Sequence, residues 1–231
     1  RAMAKDFGID INLITGTGPA NRITKADIQK THDNRYKKHL DLKEDPQQDK
    51  LVEYETLSQI RKTIAKNMIK SKQNAAHMSA FEEAEVSGLI NIRNKYKEQF
   101  AEEDLSLSYL PFILKAVALS LKNHKSLNSE IDLDNNRMVY KKFINIGIAV
   151  DTEEGLVVPV IKKTDILSIK EIANQIQVFS NKARERNLSL EDLKDGTFTI
   201  TNYGSIGGLF AVPIINYPQA GILGIGRIHQ K

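Results

Sequence analysis

The sequence predicts a mixed α/β body preceded by a small helical module, and three observations carry that expectation. Apolar residues recur at helical spacing in several windows; short β-rich runs bounded by turn residues crowd the second half; and one polar, charged stretch separates a short N-terminal segment from the rest. The late strands outnumber the late helices and do not alternate with them, so the expected architecture is α+β, a mixed sheet with helices on one face, rather than a regular βαβ repeat. The 231 residues give room for one large domain with a satellite, and 41% hydrophobic with 27% charged residues is ordinary globular usage.

Composition narrows the chemistry. The chain has no cysteine, which excludes disulfides, thiolate nucleophiles, zinc–cysteine sites and iron–sulfur clusters and fits a reducing compartment. The net charge is only +4, with basic and acidic residues interleaved, a pattern of solvated faces rather than of a nucleic-acid-binding stripe. No apolar run approaches the roughly 20 residues of a membrane span, and no signal-like segment opens the chain. His32, His39, His77, His124 and His229 are not at metal-ligand spacing from one another, so no metal is expected.

In chain order, residues 1–34 form the satellite. Met3, Ala4, Phe7 and Ile9 suggest one helical turn, and Ile11, Leu13 and Ile14 lead into the loop GTGPAN at 16–21. That loop lacks the preceding strand, third glycine and lysine of a phosphate cradle, so it reads as a structural turn. Thr24 to Asp27 fits a capping box that opens a second helix. Residues 35–50, RYKKHLDLKEDPQQDK, are polar, broken by Pro46 and aperiodic, and read as a linker to a body spanning 51–231.

Within the body, Leu57, Ile60, Ile64 and Met68 predict one helix, and Leu110, Ile113, Leu114, Val117 and Leu121 another. Ser168 and Glu171 form a capping box before a helix whose apolar face is Ile169, Ile172, Ala173, Ile176 and Phe179. Strands are expected at 138–140, 144–150, 156–161, 197–202, 210–214 and 222–225, with an acidic hairpin turn at 151–155. Residues 132–136 mimic a calcium loop, but Arg137 replaces its glycine and Phe143 its glutamate, leaving a hairpin turn. His77, at the entry to an expected strand, is the one histidine in a core-like setting, and a hydrogen-bonded structural role is expected there. Along 197–202, Thr197, Thr199 and Thr201 share one face and a glycine-rich bend follows; this is either a threonine-rich edge or a set of hydroxyl donors suited to an oxyanion.

Read together, LSQIRKTIAKNMIKSK (57–72), AAHMSAFEEAEVSGL (75–89), LSYLPFILKAV (107–117), INIGIAVDTEEGLVVPVI (144–161), GTFTITNYGSIGG (196–208) and PQAGILGIGRI (218–228) resemble, in order, the dihydrolipoyl acyltransferases of 2-oxo-acid dehydrogenase complexes. Residues 1–28 resemble that family's peripheral subunit-binding domain, with Asn21 where a glycine usually precedes the arginine. The resemblance implies a chloramphenicol-acetyltransferase-like fold, a mixed sheet flanked by helices, assembled as trimers into a larger core. It implies acyl transfer between dihydrolipoamide and coenzyme A, with a histidine as general base and a neighbouring subunit's hydroxyl on the oxyanion. On this chain the hydroxyl maps to Thr201, with Asn202, Gly204, Gly207 and Gly208 shaping the channel wall, and Arg61 matches the arginine that pairs with the catalytic aspartate. By the same resemblance, Asp27 holds its loop, while Arg1, Lys5, Arg22 and Lys25 dock an acidic surface of dihydrolipoyl dehydrogenase or of the 2-oxo-acid decarboxylase.

The family's histidine and aspartate belong to an HxxxDG motif, and no HxxxDG occurs in the 231 residues. The resemblance therefore implies a longer protein, with a lipoyl domain before Arg1 and the base after Lys231, and these residues alone are expected to be inactive. The alternative function is a non-catalytic core scaffold; a free-standing acyltransferase is disfavoured by the subunit-binding module. The GSIGG stretch resembles the pyruvate and branched-chain types more than the succinyl type. A cytoplasmic location is expected, or the mitochondrial matrix in a eukaryote.

Overall fold

The computed structural model describes residues 3–4, 7–40, 52–208 and 210–230, leaving out the side chains of residues 12, 20, 33 and 35–40. The chain divides into two compact units, Arg1–Thr56 and Leu57–Lys231.

In the first unit the Phe7 amide donates to the Met3 carbonyl at 3.2 Å, closing the expected turn. Short 3-10 turns follow at Ile11–Leu13 and Pro19–Asn21, and helix α1 spans Lys25–Leu40. Ala4, Ile9, Ile14 and Ile28 form the buried core, with Met3, Phe7, Ile11 and Ile23 packed around it. The helix continues through residues 35–40, the first part of the stretch expected to be an aperiodic linker. Arginine, lysine and leucine are good helix formers and Pro46 lies well beyond, so nothing in 35–40 breaks the helix. The rest of that stretch, 41–50, lies outside the described residues.

The second unit carries helices α2 (Gln59–Asn74), α3 (Ser87–Ala101), α4 (Leu110–Asn123) and α5 (Ile169–Arg184). Strands β1 (Ser129–Asp132) and β2 (Arg137–Tyr140) pair as a hairpin, as do β4 (Val150–Thr152) and β5 (Gly155–Val157). The central sheet is built from β3 (Ile146–Ile148), β6 (Val160–Ile161), β7 (Phe198–Asn202) and β8 (Ile222–Ile225), in the order β6-β3-β7-β8. Strand β3 is antiparallel to β6 and parallel to β7, and β7 is parallel to β8. It is the mixed sheet the sequence predicts.

The core lies between this sheet and two helices. Leu114, Ala118 and Leu121 of α4 and Ile172 and Phe179 of α5 pack with Ile146, Ile148, Ile161, Phe198 and Ile200. Strand β3 is buried along its whole length, and a side chain at Gly147 would meet Val158 at 2.7 Å. Helix α5 starts with the expected capping box: Ser168 Oγ accepts from the Glu171 amide at 3.2 Å, and the Glu171 carboxylate accepts from the Ser168 amide at 2.7 Å. The loop at 132–136 is the expected turn, where Asn135 and Arg137 donate to Asp132 and hold its carboxyl below its ordinary range.

Several expectations are corrected. The expected strand at 144–150 divides into β3 and β4, and that at 156–161 into β5 and β6, the second around Pro159, which has no amide to donate. Residues 210–214 are not a strand; Pro213 interrupts them and they carry no ladder. Residues 75–86 also carry no strand, so His77 does not stand at the entry to one. Helix α3 has no fully buried residue, so its sequence shows no sharp apolar stripe by which periodicity could predict it.

Candidate active site

Strand β7 alternates as the threonine pattern predicts, and each hydroxyl has a different fate. Thr197 Oγ1 donates to the Asn145 carbonyl at 3.2 Å, and Thr199 Oγ1 donates to Gln219 Oε1 at 2.6 Å. Both are buried, so these bonds satisfy groups that would otherwise be orphaned. Thr201, where the strand reaches the surface, is half-buried, and its hydroxyl has no hydrogen-bond partner among the described residues. The Thr197 and Thr199 hydroxyls are thus committed to bonds inside the fold.

The chain then turns sharply. Asn202 Oδ1 accepts from the Gly204 amide at 3.1 Å, and the Tyr203 amide donates to the Ile225 carbonyl at 3.0 Å, tying the bend to β8. A side chain at Gly204 would lie 2.7 Å from the Gly226 carbonyl oxygen, so only glycine permits this approach. Gly207 has φ +95°, in the region that favours glycine, and with Gly208 lies exposed farther along the loop. Thr201, Asn202 and Gly204 thus converge at the carboxyl ends of β7 and β8, where Thr201 stands opposite Gly224.

Arg61 sits in the first turn of α2, where its amide donates to the N-cap Ser58 at 3.3 Å. Its guanidinium reaches the Glu153 carbonyl oxygen on the β4–β5 turn at 3.5 Å, and no contact with Thr201 is found among the described residues. The structure therefore places Arg61 against the hairpin, apart from the Thr201 bend. The exposed Glu153 and the half-buried Glu154 carboxylates pair with Arg186, contacts of little energetic weight where water reaches them.

In the N-terminal unit, Arg22 and Lys25 are exposed on the face expected to dock a partner, while Arg1 and Lys5 lie outside the described residues. Asp27 is buried and accepts from the Thr24 amide at 2.8 Å, the Thr24 hydroxyl at 2.9 Å, the Thr17 amide at 3.1 Å and the Thr17 hydroxyl at 2.7 Å. The Thr24 amide, then the Thr17 hydroxyl, hold its carboxyl far below the ordinary carboxylate range. Asn21 takes φ +59°, the left-handed geometry that asparagine tolerates best after glycine.

His77 is half-buried rather than buried. Its Nε2 accepts from the Ile215 amide at 3.1 Å and its Nδ1 bonds the Ala75 carbonyl at 2.9 Å, the structural role expected. Sequence reasoning missed two further polar groups here. Ser71, fully buried, donates to the Ile215 carbonyl, and Gln219 takes the Thr199 hydroxyl. The signal for Ser71 was present: it continues the α2 stripe of Ile60, Ile64 and Met68 at helical spacing. No cluster of His, Cys, Asp or Glu among the described residues is arranged to hold a metal.

The family model described as "2-oxoacid dehydrogenases acyltransferase (catalytic domain)" matches residues 50–231, and that described as "e3 binding domain" matches residues 1–29. The whole chain aligns at 38% identity with 55% of the dihydrolipoyllysine-residue acetyltransferase component of the Bacillus subtilis pyruvate dehydrogenase complex. It aligns equally well, at 38%, with 57% of the succinyltransferase component of that organism's 2-oxoglutarate dehydrogenase complex. The chain thus spans little more than half the length of these relatives. Among solved structures, a dihydrolipoamide acetyltransferase of Azotobacter vinelandii superposes with TM-score 0.76 at 32% identity, over 78% of this chain and 74% of that one. A probable dihydrolipoamide acetyltransferase of Listeria monocytogenes superposes with TM-score 0.75 at 40% identity, over 78% and 76%. Another match, also at TM-score 0.76 and over 78% of this chain, is the cubic core of a pyruvate dehydrogenase multienzyme complex.

Proposed function

Because the chain belongs to the 2-oxoacid dehydrogenase acyltransferase family, we propose that it is part of a dihydrolipoamide acyltransferase that moves an acyl group between dihydrolipoamide and coenzyme A. The observation that carries this reading is the Thr201 hydroxyl, unpartnered among the described residues at the end of β7 while Thr197 and Thr199 are committed to structural bonds. A thiol deprotonated by a general base attacks the thioester carbonyl, and negative charge gathers on the carbonyl oxygen. A fixed O–H donor aimed at that oxygen stabilises the tetrahedral intermediate, which collapses by expelling the other thiolate. The protein need supply no thiol, in keeping with the absence of cysteine.

In this reading Asn202, Gly204, Gly207 and Gly208 shape the wall beside Thr201. The base is the histidine of an HxxxDG motif, and Arg61 pairs with that motif's aspartate, a planar fork that lysine would replace poorly. The lipoyl group is a substrate carried on another domain. The exposed apolar side chains of Leu57, Ile60, Ile69, Phe81 and Phe210 support self-association, as trimers that build a core. Arg1, Lys5, Arg22 and Lys25 dock dihydrolipoyl dehydrogenase or the decarboxylase through a salt-sensitive contact. No helix among the described residues is long and apolar enough to cross a membrane, and a reducing cytoplasm suits a protein without cysteine.

The test is thioester exchange by the full-length protein with dihydrolipoamide and acetyl-, branched-chain acyl- or succinyl-coenzyme A. Transfer saturable in both substrates is expected with one of the three; no transfer with any of them would leave the non-catalytic scaffold in its place.

A further inference from the structure

We propose that His77 is a positioning residue for acyl transfer: with Ser71 it clamps the backbone at Ile215 and thereby fixes the wall against which the Thr201 position of the sheet is set. This rests on the reading of Thr201 as the oxyanion donor.

The segment 210–216 crosses the surface between the glycine-rich bend and β8 without regular structure. Its backbone groups therefore need partners other than a ladder. At Ile215 the amide donates to His77 Nε2, and the carbonyl accepts from Ser71 Oγ as well as from the Tyr217 amide at 3.0 Å, so α2 and the stretch after it supply a side-chain partner to each. Two more contacts lie on either side. The Phe81 ring meets Phe210 edge-on at 5.2 Å, and Lys70 Nζ stands 5.5 Å from the centre of the Tyr217 ring. Taken in order, 70, 77 and 81 meet 217, 215 and 210, so the two stretches run antiparallel, joined by side chains instead of backbone pairs.

The ring of His77 is fixed in one state by this arrangement. The Ile215 N–H can only donate, so Nε2 must hold a lone pair; Nδ1 then carries the proton and donates to Ala75. Both nitrogens of a neutral imidazole are committed to backbone, and no lone pair is left to remove a substrate proton. His77 is a bracket, not the general base.

The clamp reaches Thr201 through two residues. Pro213, two residues before the clamped Ile215, packs on β8, and a Cβ at Gly224 would lie 3.1 Å from its Cγ and 2.9 Å from Tyr203 Cε1. Gly224 is the ladder partner of Thr201. Releasing Ile215 frees Pro213 to move from Gly224 and lets the end of β7 drift. A misplacement of about 1 Å at a reacting centre can cost about 10²-fold in rate. A partial loosening here is expected to cost about tenfold.

The test is a double-mutant cycle in the full-length protein, with His77→Ala, Thr201→Ala and the pair, and His77→Gln as the conservative variant because its amide oxygen can still accept from the Ile215 N–H. His77→Ala is expected to lower kcat about tenfold with KM for coenzyme A unchanged, and by less than threefold when Thr201 is already alanine. His77→Gln is expected to recover most of the loss, and stands in for the cycle if the alanine variant does not fold: it should then slow turnover less in the Thr201→Ala background than in the native one. Additive losses, a native kcat in His77→Ala, or a glutamine variant as slow as alanine would overturn the proposal while leaving Thr201 in place. If Thr201→Ala alone turned over at the native rate, the oxyanion reading itself would fall, and the role of His77 with it.

Discussion

Asp27 shows how one carboxylate can hold a loop in a unit with so small a core. Four N–H and O–H groups of Thr17 and Thr24 point at it, and its charged form is the one they stabilise. The carboxyl is pushed down from its ordinary 3.8, so an unfolded chain takes up the proton first as the pH falls. The stabilisation is therefore complete above about pH 4 and is lost as the pH drops through the folded value below it. Asp27→Asn is expected to speed amide exchange at Thr17 and Thr24 at pH 7, with native and variant converging in acid. Equal exchange at pH 7 would remove Asp27 from that role. Gly16 is the complementary constraint: a side chain there would lie 2.3 Å from the Asn21 carbonyl oxygen. Such close approaches are invisible in composition, and only the three-dimensional loop shows why glycine stands at 16 while asparagine suffices at 21.

At the scale of elements, local signals were legible where they were strong. The two capping boxes, at Thr24 and Ser168, were readable because the partner residues lie within one turn of each other. Ser168→Ala is expected to lower stability by about 1 kcal/mol, read from the shift in denaturation midpoint. Ile172→Ala, at a fully buried position on the same helix, is expected to cost about 2–5 kcal/mol. Comparable losses in the two would show that the cap, not the apolar face, anchors α5. The elements that were misread lack a local signal. Residues 210–214 have the apolar composition of a strand, but they carry no ladder, and Ile215 just after them is bonded by Ser71 and His77, far away in sequence. Helix α3 has no fully buried residue, and α1 runs on through charged residues that no periodicity marks.

For the whole molecule, the mixed sheet was legible because late strands outnumbered late helices, whereas its order β6-β3-β7-β8 was not. That order depends on β3 pairing with β7 across the intervening β4, β5, β6 and α5, between residues such as Ile146 and Phe198 with no local trace. The candidate site was legible in part for the same reason. The alternation of Thr197, Thr199 and Thr201 could be read from spacing, but which hydroxyl stays free is decided by Asn145 and Gln219, brought in by the fold. Arg61 lies against the β4–β5 turn, so its expected partner must reach that edge for the pairing to form.

The central claim, that Thr201 supplies the oxyanion donor, is tested most directly by single-turnover acyl transfer in the full-length protein carrying Thr201→Ala or Thr201→Ser. The alanine variant is expected to be slower by about 10²–10³-fold with substrate binding little changed, and serine, which restores a hydroxyl, to recover most of the rate. A native rate in Thr201→Ala, with the chemical step rate-limiting, would contradict the account.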